Sequence, residues 1–324
     1  MTDMSRLVVA VDAMGGDLGP EAATQGAVWA IKDNPHISVI LTGPESELKD
    51  ILARYSYSGD ISIVHAPDII HPSESPTLAF RRKKESSMVV ALKLVKEGKA
   101  HGFVSSGSTG AMLTGATVLI GRKKGIERPA LGTLLPNAKK GFTLLADSGA
   151  NMDSKPSYLL QFGMLGSEYM KSMRGIKSPR VGLINVGSED EKGNALVKEA
   201  FTLLKESDLN FVGNIEGREI PSGDVDVAVC DGFTGNVVLK FMEGVAKSMM
   251  GMIKEELMST TISKLGALLA KGAFKKIRTR FDYREVGGAP FLGLNHLVIK
   301  AHGSSDALAF KNAILQIRSE NSGI

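Results

Sequence analysis

The sequence holds a single cysteine, Cys230, in 324 residues. No intrachain disulfide is possible, and a reducing compartment fits such a chain best. Long apolar runs are also missing: no window approaches the roughly 18 apolar residues of a membrane span. The stretch MTDMSRLVVAVDAMGGD has an apolar run of only four or five residues before an acid, so it does not read as a signal peptide and the cytoplasm is expected. Net charge is only +4, too weak to argue for a nucleic-acid partner. There is no G-x-x-x-x-G-K-[ST], G-x-G-x-x-G, H-E-x-x-H or G-x-S-x-G, which removes the usual signatures of nucleotide, dinucleotide, zinc-protease and serine-hydrolase chemistry. The six histidines show no metal-ligand spacing, so neither a metal nor a cofactor is expected.

Short Val/Ile/Leu runs recur, each followed by small residues and then a stretch of helical period. LVVAVDAMGGD, SVILTGPESE, HGFVSSGSTGAM, GFTLLADSGAN, RVGLINVGSED and DVAVCDGFTGN all fit this plan. Runs of four to six such residues predict strands buried on both faces. PEAATQGAVWAIKD and ESSMVVALKLVKEG predict intervening helices, the second ending at a glycine stop. The fold class is therefore α/β, doubly wound, read as one catalytic domain over residues 1–324 with two subdomains around a cleft. Ligands in such folds sit beyond the carboxyl ends of the strands, where the small-residue elbows fall.

Two elbows match. SSGSTGAM and CDGFTGNV share x-x-Gly-x-Thr-Gly, placing Gly107, Thr109 and Gly110 in register with Gly232, Thr234 and Gly235. Glycine and threonine suit any tight strand-to-helix turn. If both elbows face one cleft, their amides also form an anion site, with Ser108 beside Thr109 in the first and Asn236 as the extra polar group of the second. Cys230 reads first as a small buried filler and second as a thiolate activated by a helix N-terminus. In NVGSEDEKGN, Lys192 follows three acids and reads either as part of a solvated loop or as a point charge for phosphate or an oxyanion. TLAFRRKKESS, with its four consecutive cations, is a solvated face or a dock for an acidic partner.

Between Glu256 and Asp282 there is no acid and there are six Lys/Arg. At 100° per residue Ile262, Leu265, Gly266, Leu269 and Ala273 share one side and Lys264, Lys271 and Lys275 the other. Leu268 and Phe274 lie off the stripe. This predicts a basic amphipathic helix over about 258–281 that lies on an anionic membrane surface, the alternative being a helix packed on its own domain or a second subunit.

Together these stretches resemble the bacterial phosphate acyltransferases that make acyl-phosphate from acyl-acyl carrier protein, the PlsX family. The resemblance runs through DAMGGD (12–17), SSGSTGA (105–111), RPAL (128–131), DSGAN (147–151) and VGLINVGSEDEKGN (181–194). It continues through GNIEGREI (213–220), CDGFTGNVVLK (230–240), GGAPFLG (287–293) and AHGSS (301–305). Ser106 and Ser108 depart from the family's Ser-Ala-Gly-Asn-Thr-Gly-Ala elbow, which bears on the side chain at 108 and not on the backbone cradle.

The resemblance implies a three-layer fold like isocitrate/isopropylmalate dehydrogenases and phosphotransacetylases, a homodimer, peripheral membrane association and a place in phospholipid synthesis. It further implies that the product passes to a membrane-bound glycerol-3-phosphate acyltransferase. On this reading inorganic phosphate attacks the thioester directly. Lys192 holds phosphate or the oxyanion, Asn236 polarises the carbonyl or orients phosphate, and Gly107, Ser108, Thr109 and Gly110 cradle phosphate. Asp12, Gly15, Gly16, Asp231, Thr234 and Gly235 line the cleft; Ile262, Leu265, Leu268, Leu269, Lys271 and Phe274 meet the membrane. The acidic carrier protein suits the cations of 81–84 or the basic tip. Competing readings are an acyl-coenzyme A-dependent phosphotransacetylase, a non-catalytic carrier-protein scaffold, and an acyl-enzyme route through Cys230.

Overall fold

A computed structural model describes residues 6–57 and 59–321, with side chains described as far as 317; the first five residues of the stretch read for a signal peptide lie outside it. Twelve strands form two sheets. They are β1 (Leu7–Asp12), β2 (Ile37–Gly43), β3 (Ile61–His65), β4 (Gly102–Ser105), β5 (Ala130–Leu131), β6 (Thr133–Pro136), β7 (Phe142–Ala146), β8 (Val181–Asn185), β9 (Phe211–Glu216), β10 (Val227–Val229), β11 (Ala289–Leu292) and β12 (Leu297–Lys300). The first sheet runs β3-β2-β1-β4-β12-β11-β5 and the second β6-β7-β10-β8-β9. Pairings from β3 through to β12, and from β7 through to β9, are parallel; β11 and β6 are the antiparallel intruders.

All six apolar runs read from the sequence are strands of these parallel stretches. Their residues are buried because helices cover both faces. Val9, Val11, Val39 and Leu41 pack under the helices Gly19–Asp33 and Ala307–Asn321, while Phe103 and Val298 face Ser87–Lys96 and Thr109–Leu119. Around the second sheet, Leu144, Val181 and Val229 pack under the helix Pro156–Arg174. Leu145, Ala228 and Cys230 face the long helix Gly232–Leu257 through Val238, Leu239 and Met242. The chain passes between the sheets at Gly132, the single residue between β5 and β6.

The segment expected as one amphipathic helix is two, Thr261–Leu269 and Lys271–Arg280, which meet at Ala270. Thr260 caps the first by accepting the Ser263 amide at 3.1 Å, and Gly272 in the first turn of the second disfavours one continuous helix. The first helix carries the exposed Ile262 (85%), Leu265, Leu268 and Leu269 (83%). The second carries Lys271, Lys275, Lys276, Arg278 and Arg280, with Phe274 partly buried.

Candidate active site

The first elbow follows β4 and rests on the DAMGGD loop. Ser105 Oγ donates to the buried Asp12 carboxylate at 2.7 Å and accepts the Gly107 amide at 2.9 Å. Ser106 Oγ donates to the Gly15 carbonyl at 2.7 Å. A Cβ on Gly15 would lie 2.6 Å from the Gly107 nitrogen, and one on Gly16, at φ +84°, would lie 2.4 Å from Ser106 Oγ. Asp12, Gly15 and Gly16 are thus the bed beneath the elbow, and burial raises the Asp12 carboxyl above its usual range against hydrogen bonds from Ser87 and Ser105. Ser108 caps the helix Thr109–Leu119 by accepting the Ala111 amide, which turns Thr109 to the open side.

The second elbow follows β10. Asp231 accepts the Thr234 amide at 2.9 Å and the Thr234 hydroxyl at 2.8 Å. Behind it lies the DSGAN turn, organised by Asp147. Its carboxylate accepts the amides of Leu131, Gly149, Ala150 and Asn151 and the Asn151 side chain, at 2.7–3.1 Å. Burial raises this carboxyl too, and the five donors oppose the shift. Gly149, at φ +137°, lies against the Asn236 side chain.

Between the elbows lies a cavity of about 360 Å³, of the size of ordinary small-ligand sites. Its lining is mixed: Thr109, Ser148, Asn236, Lys240, Glu243, Arg280, Asp282, Lys300 and His302 are polar or charged, and Leu134, Leu135, Leu239, Met242, Ala246 and Phe281 are apolar. Asn236, Lys240, Glu243 and Ala246 repeat at helical spacing along Gly232–Leu257, so the cavity follows that helix for roughly 15 Å from the elbow. The far wall is the segment after the basic helix. Arg284 pairs with Asp282 and with Asp306 at 2.8 Å, tying that segment to the base of the last helix.

Ser148, Lys240, Lys300 and His302 of the cavity lining were not singled out as site residues from the sequence, and the last two come from a strand end outside both elbows. Lys300 ends β12, and its Nζ donates to the carbonyls of Ser106 (3.3 Å) and Ala301. Burial, then the neighbouring Lys240, pull its pKa down to about 8. His302 Nδ1 accepts the Ser304 amide at 3.1 Å, which assigns the proton of the neutral ring to Nε2; burial and Lys240 lower its pKa. The signal was present: LVIKAHGSS is an apolar run into small residues, the same plan as the other elbows.

Of the residues expected at the site, the structure brings Thr109 and Asn236 to one cavity. Gly107, Ser108 and Gly110 shape the first elbow, and Asp231, Thr234 and Gly235 the second, without lining the cavity. Lys192 is exposed on the loop after β8, on the carboxyl edge one strand from the second elbow, and is not part of the cavity wall. Cys230 is buried, and burial with Asp231 and Asp147 pushes its thiol well above its usual range, which makes it a poor nucleophile.

The chain is thus a doubly wound α/β protein with a cavity of mixed polar and apolar lining at the carboxyl ends of its strands. Residues 7–321 match the family described as "Fatty acid synthesis protein". A phosphate acyltransferase of Clostridium botulinum is 53% identical over 313 residues, covering 96% of this chain and 93% of the relative. A phosphotransacetylase from Streptococcus pyogenes shares the fold at TM-score 0.67 and 18% identity, covering 98% of this chain and 95% of that one. A branched-chain phosphotransacylase from Enterococcus faecalis does so at 0.60 and 12%, covering 97% and 98%. The chain belongs to this fatty acid synthesis family and is an acyltransferase. Among the described residues no helix is long and apolar enough to cross a membrane.

Proposed function

We propose that the chain transfers the acyl group of acyl-acyl carrier protein to inorganic phosphate, making acyl-phosphate for phospholipid synthesis. The observation that carries this reading is the cavity's mixed lining: cations and donors suited to phosphate together with apolar residues along Gly232–Leu257 suited to an acyl chain. A phosphate oxygen attacks the thioester carbonyl, the carbon–oxygen bond forms, the carbon–sulfur bond breaks, and the phosphate proton passes to the departing sulfur. Phosphate is already nucleophilic, so the protein's task is positioning and oxyanion stabilisation. Asn236 polarises the carbonyl, and Thr109, the residue of the first elbow that lines the cavity, donates to phosphate. Lys192, outside the cavity, is left for the charged part of the donor.

The homodimer reading is supported by an exposed apolar stripe on Gly232–Leu257, formed by Phe233, Val237, Phe241 (72%), Val245, Met249 and Met252. Peripheral attachment to anionic lipid, and hand-over to a membrane glycerol-3-phosphate acyltransferase, are supported by the apolar helix Thr261–Leu269 followed directly by a basic one. The acidic carrier protein fits the basic surfaces at 81–84 and 271–280.

The assay mixes the protein with palmitoyl-acyl carrier protein and phosphate, following thiol release and acyl-phosphate trapped by hydroxylamine. Phosphate-dependent release with a trapped acyl group is expected. Release without it indicates a thioesterase, and release only with palmitoyl-coenzyme A changes the donor. Leu265→Glu with Leu269→Glu is expected to abolish binding to anionic vesicles and spare turnover in solution; surviving vesicle binding ends the membrane reading.

A further inference from the structure

We propose that Lys300 is the cation that binds the attacking phosphate, with Thr109 and His302 donating to the same anion. The proposal rests on the acyl-transfer reading and names the phosphate subsite within it.

Lys300 stands at the carboxyl end of β12, in register with Ser105 on β4, so its side chain rises beside the first elbow. Both acceptors of its ammonium are neutral carbonyls. The other charges felt there are those of Lys240, which opposes the ammonium, and of Asp12 and Asp17, whose effects are weaker than that of burial. From the long helix, Glu243 is held by Lys240 at 3.0 Å. A largely buried ammonium beside a second cation, with no charge-matched acceptor, lacks an anion. The Thr109 side chain and the His302 ring line the same cavity as Lys300. At pH 7 the ammonium is charged but only weakly matched, and a bound dianion stabilises that charged form.

The measurement is titration of inorganic phosphate into the full-length protein by calorimetry, at pH 7, for the parent chain, Lys300→Met, Lys300→Arg and Lys192→Ala, with circular dichroism to confirm folding. Lys300→Met is expected to weaken phosphate at least tenfold, on the order of one removed charge-assisted contact. Lys300→Arg is expected to restore part of the affinity, and Lys192→Ala to leave phosphate affinity in place while raising the donor KM. In turnover, Lys300→Met is expected to raise the phosphate KM and lower kcat/KM by roughly 10²–10³, as for loss of an oxyanion donor, with the donor KM unchanged. In the parent chain affinity falls as pH rises through about 8, and in Lys300→Arg it does not.

A folded Lys300→Met that binds phosphate like the parent, or a parent that binds none, overturns the assignment. If the parent binds phosphate through Lys300 yet transfers no acyl group from either donor, the acyl-transfer reading fails and the anion site stands. If turnover is normal and only the Lys300 variants behave as the parent, the reverse holds.

Discussion

The first elbow, after β4, and the second, after β10, have glycines and threonines in register but different neighbours. In the first, added Cβ atoms at Gly107 and Gly110 would meet the ends of side chains, Met88 Cε and Pro76 Cγ, each at 2.8 Å. In the second, the matching positions are closed by backbone: an added Cβ at Gly232 would lie 2.5 Å from the Asn151 carbonyl oxygen and one at Gly235 1.9 Å from the Asp147 carbonyl oxygen. The caps differ as well. Ser108 is neutral and leaves the positive end of its helix uncompensated, whereas Asp231 already supplies a negative charge there. One motif therefore makes two devices. The first elbow keeps an uncompensated helix N-terminus, and the second is a charge-balanced joint that sets Asn236 against the DSGAN turn.

The largest test of this contrast is a pair of alanines. Gly235→Ala forces a methyl into a backbone carbonyl, so the β10 joint must open, at a cost of about 3 kcal/mol or more. Thermal unfolding is expected to show a large loss of stability, with activity lost alongside. Gly110→Ala presses on a proline ring that can shift, and the expected cost is about 1 kcal/mol. Equal losses at the two positions erase the distinction between joint and cradle.

Ser108→Asp sharpens the contrast by giving the first helix the kind of cap the second has. Aspartate is as good an N-cap as serine, so the unfolding temperature is expected to hold. The new charge repels the phosphate and offsets the helix dipole, and the phosphate KM is expected to rise about tenfold, roughly 1.4 kcal/mol. An unchanged KM places the phosphate away from this helix.

The fold was legible where sequence and physics are local. Six apolar runs are strands because a parallel sheet buries both faces, and the glycine-rich ends mark turns that only small residues allow. β12 escaped notice as a site element because LVIK carries a lysine at its end, and only tertiary packing against β4 reveals that the ammonium is buried. Asn236 was reached because it directly follows Gly235 of the second elbow, where the first elbow has Ala111. The position of Lys192 was not, since an exposed loop's direction depends on neighbours far along the chain. Arg280 to Tyr283 likewise line the cavity only because Arg284 is tied to Asp306, a contact between distant stretches.

A test on stability asks whether the first elbow carries a cost the joint lacks. Lys300 has a folded pKa of about 8 against an ordinary value of 10.5. Below about pH 8 the lysine is charged both folded and unfolded, and holding the ammonium in its site disfavours the fold in full. Between about 8 and 10.5 the unfolded chain binds more protons, so the parent's stability rises with pH relative to a variant without the group. Above that range the difference vanishes. Lys300→Met is therefore expected to be more stable than the parent at pH 7 by about 2 kcal/mol, with the gap closing toward pH 10.5. Adding phosphate at pH 7 is expected to raise the parent's unfolding temperature and leave the variant's unchanged, because only the parent gains the bound anion. A gap that does not narrow with pH shows that the methionine merely packs better, and the charge of Lys300 then has no part in the contrast between the two elbows.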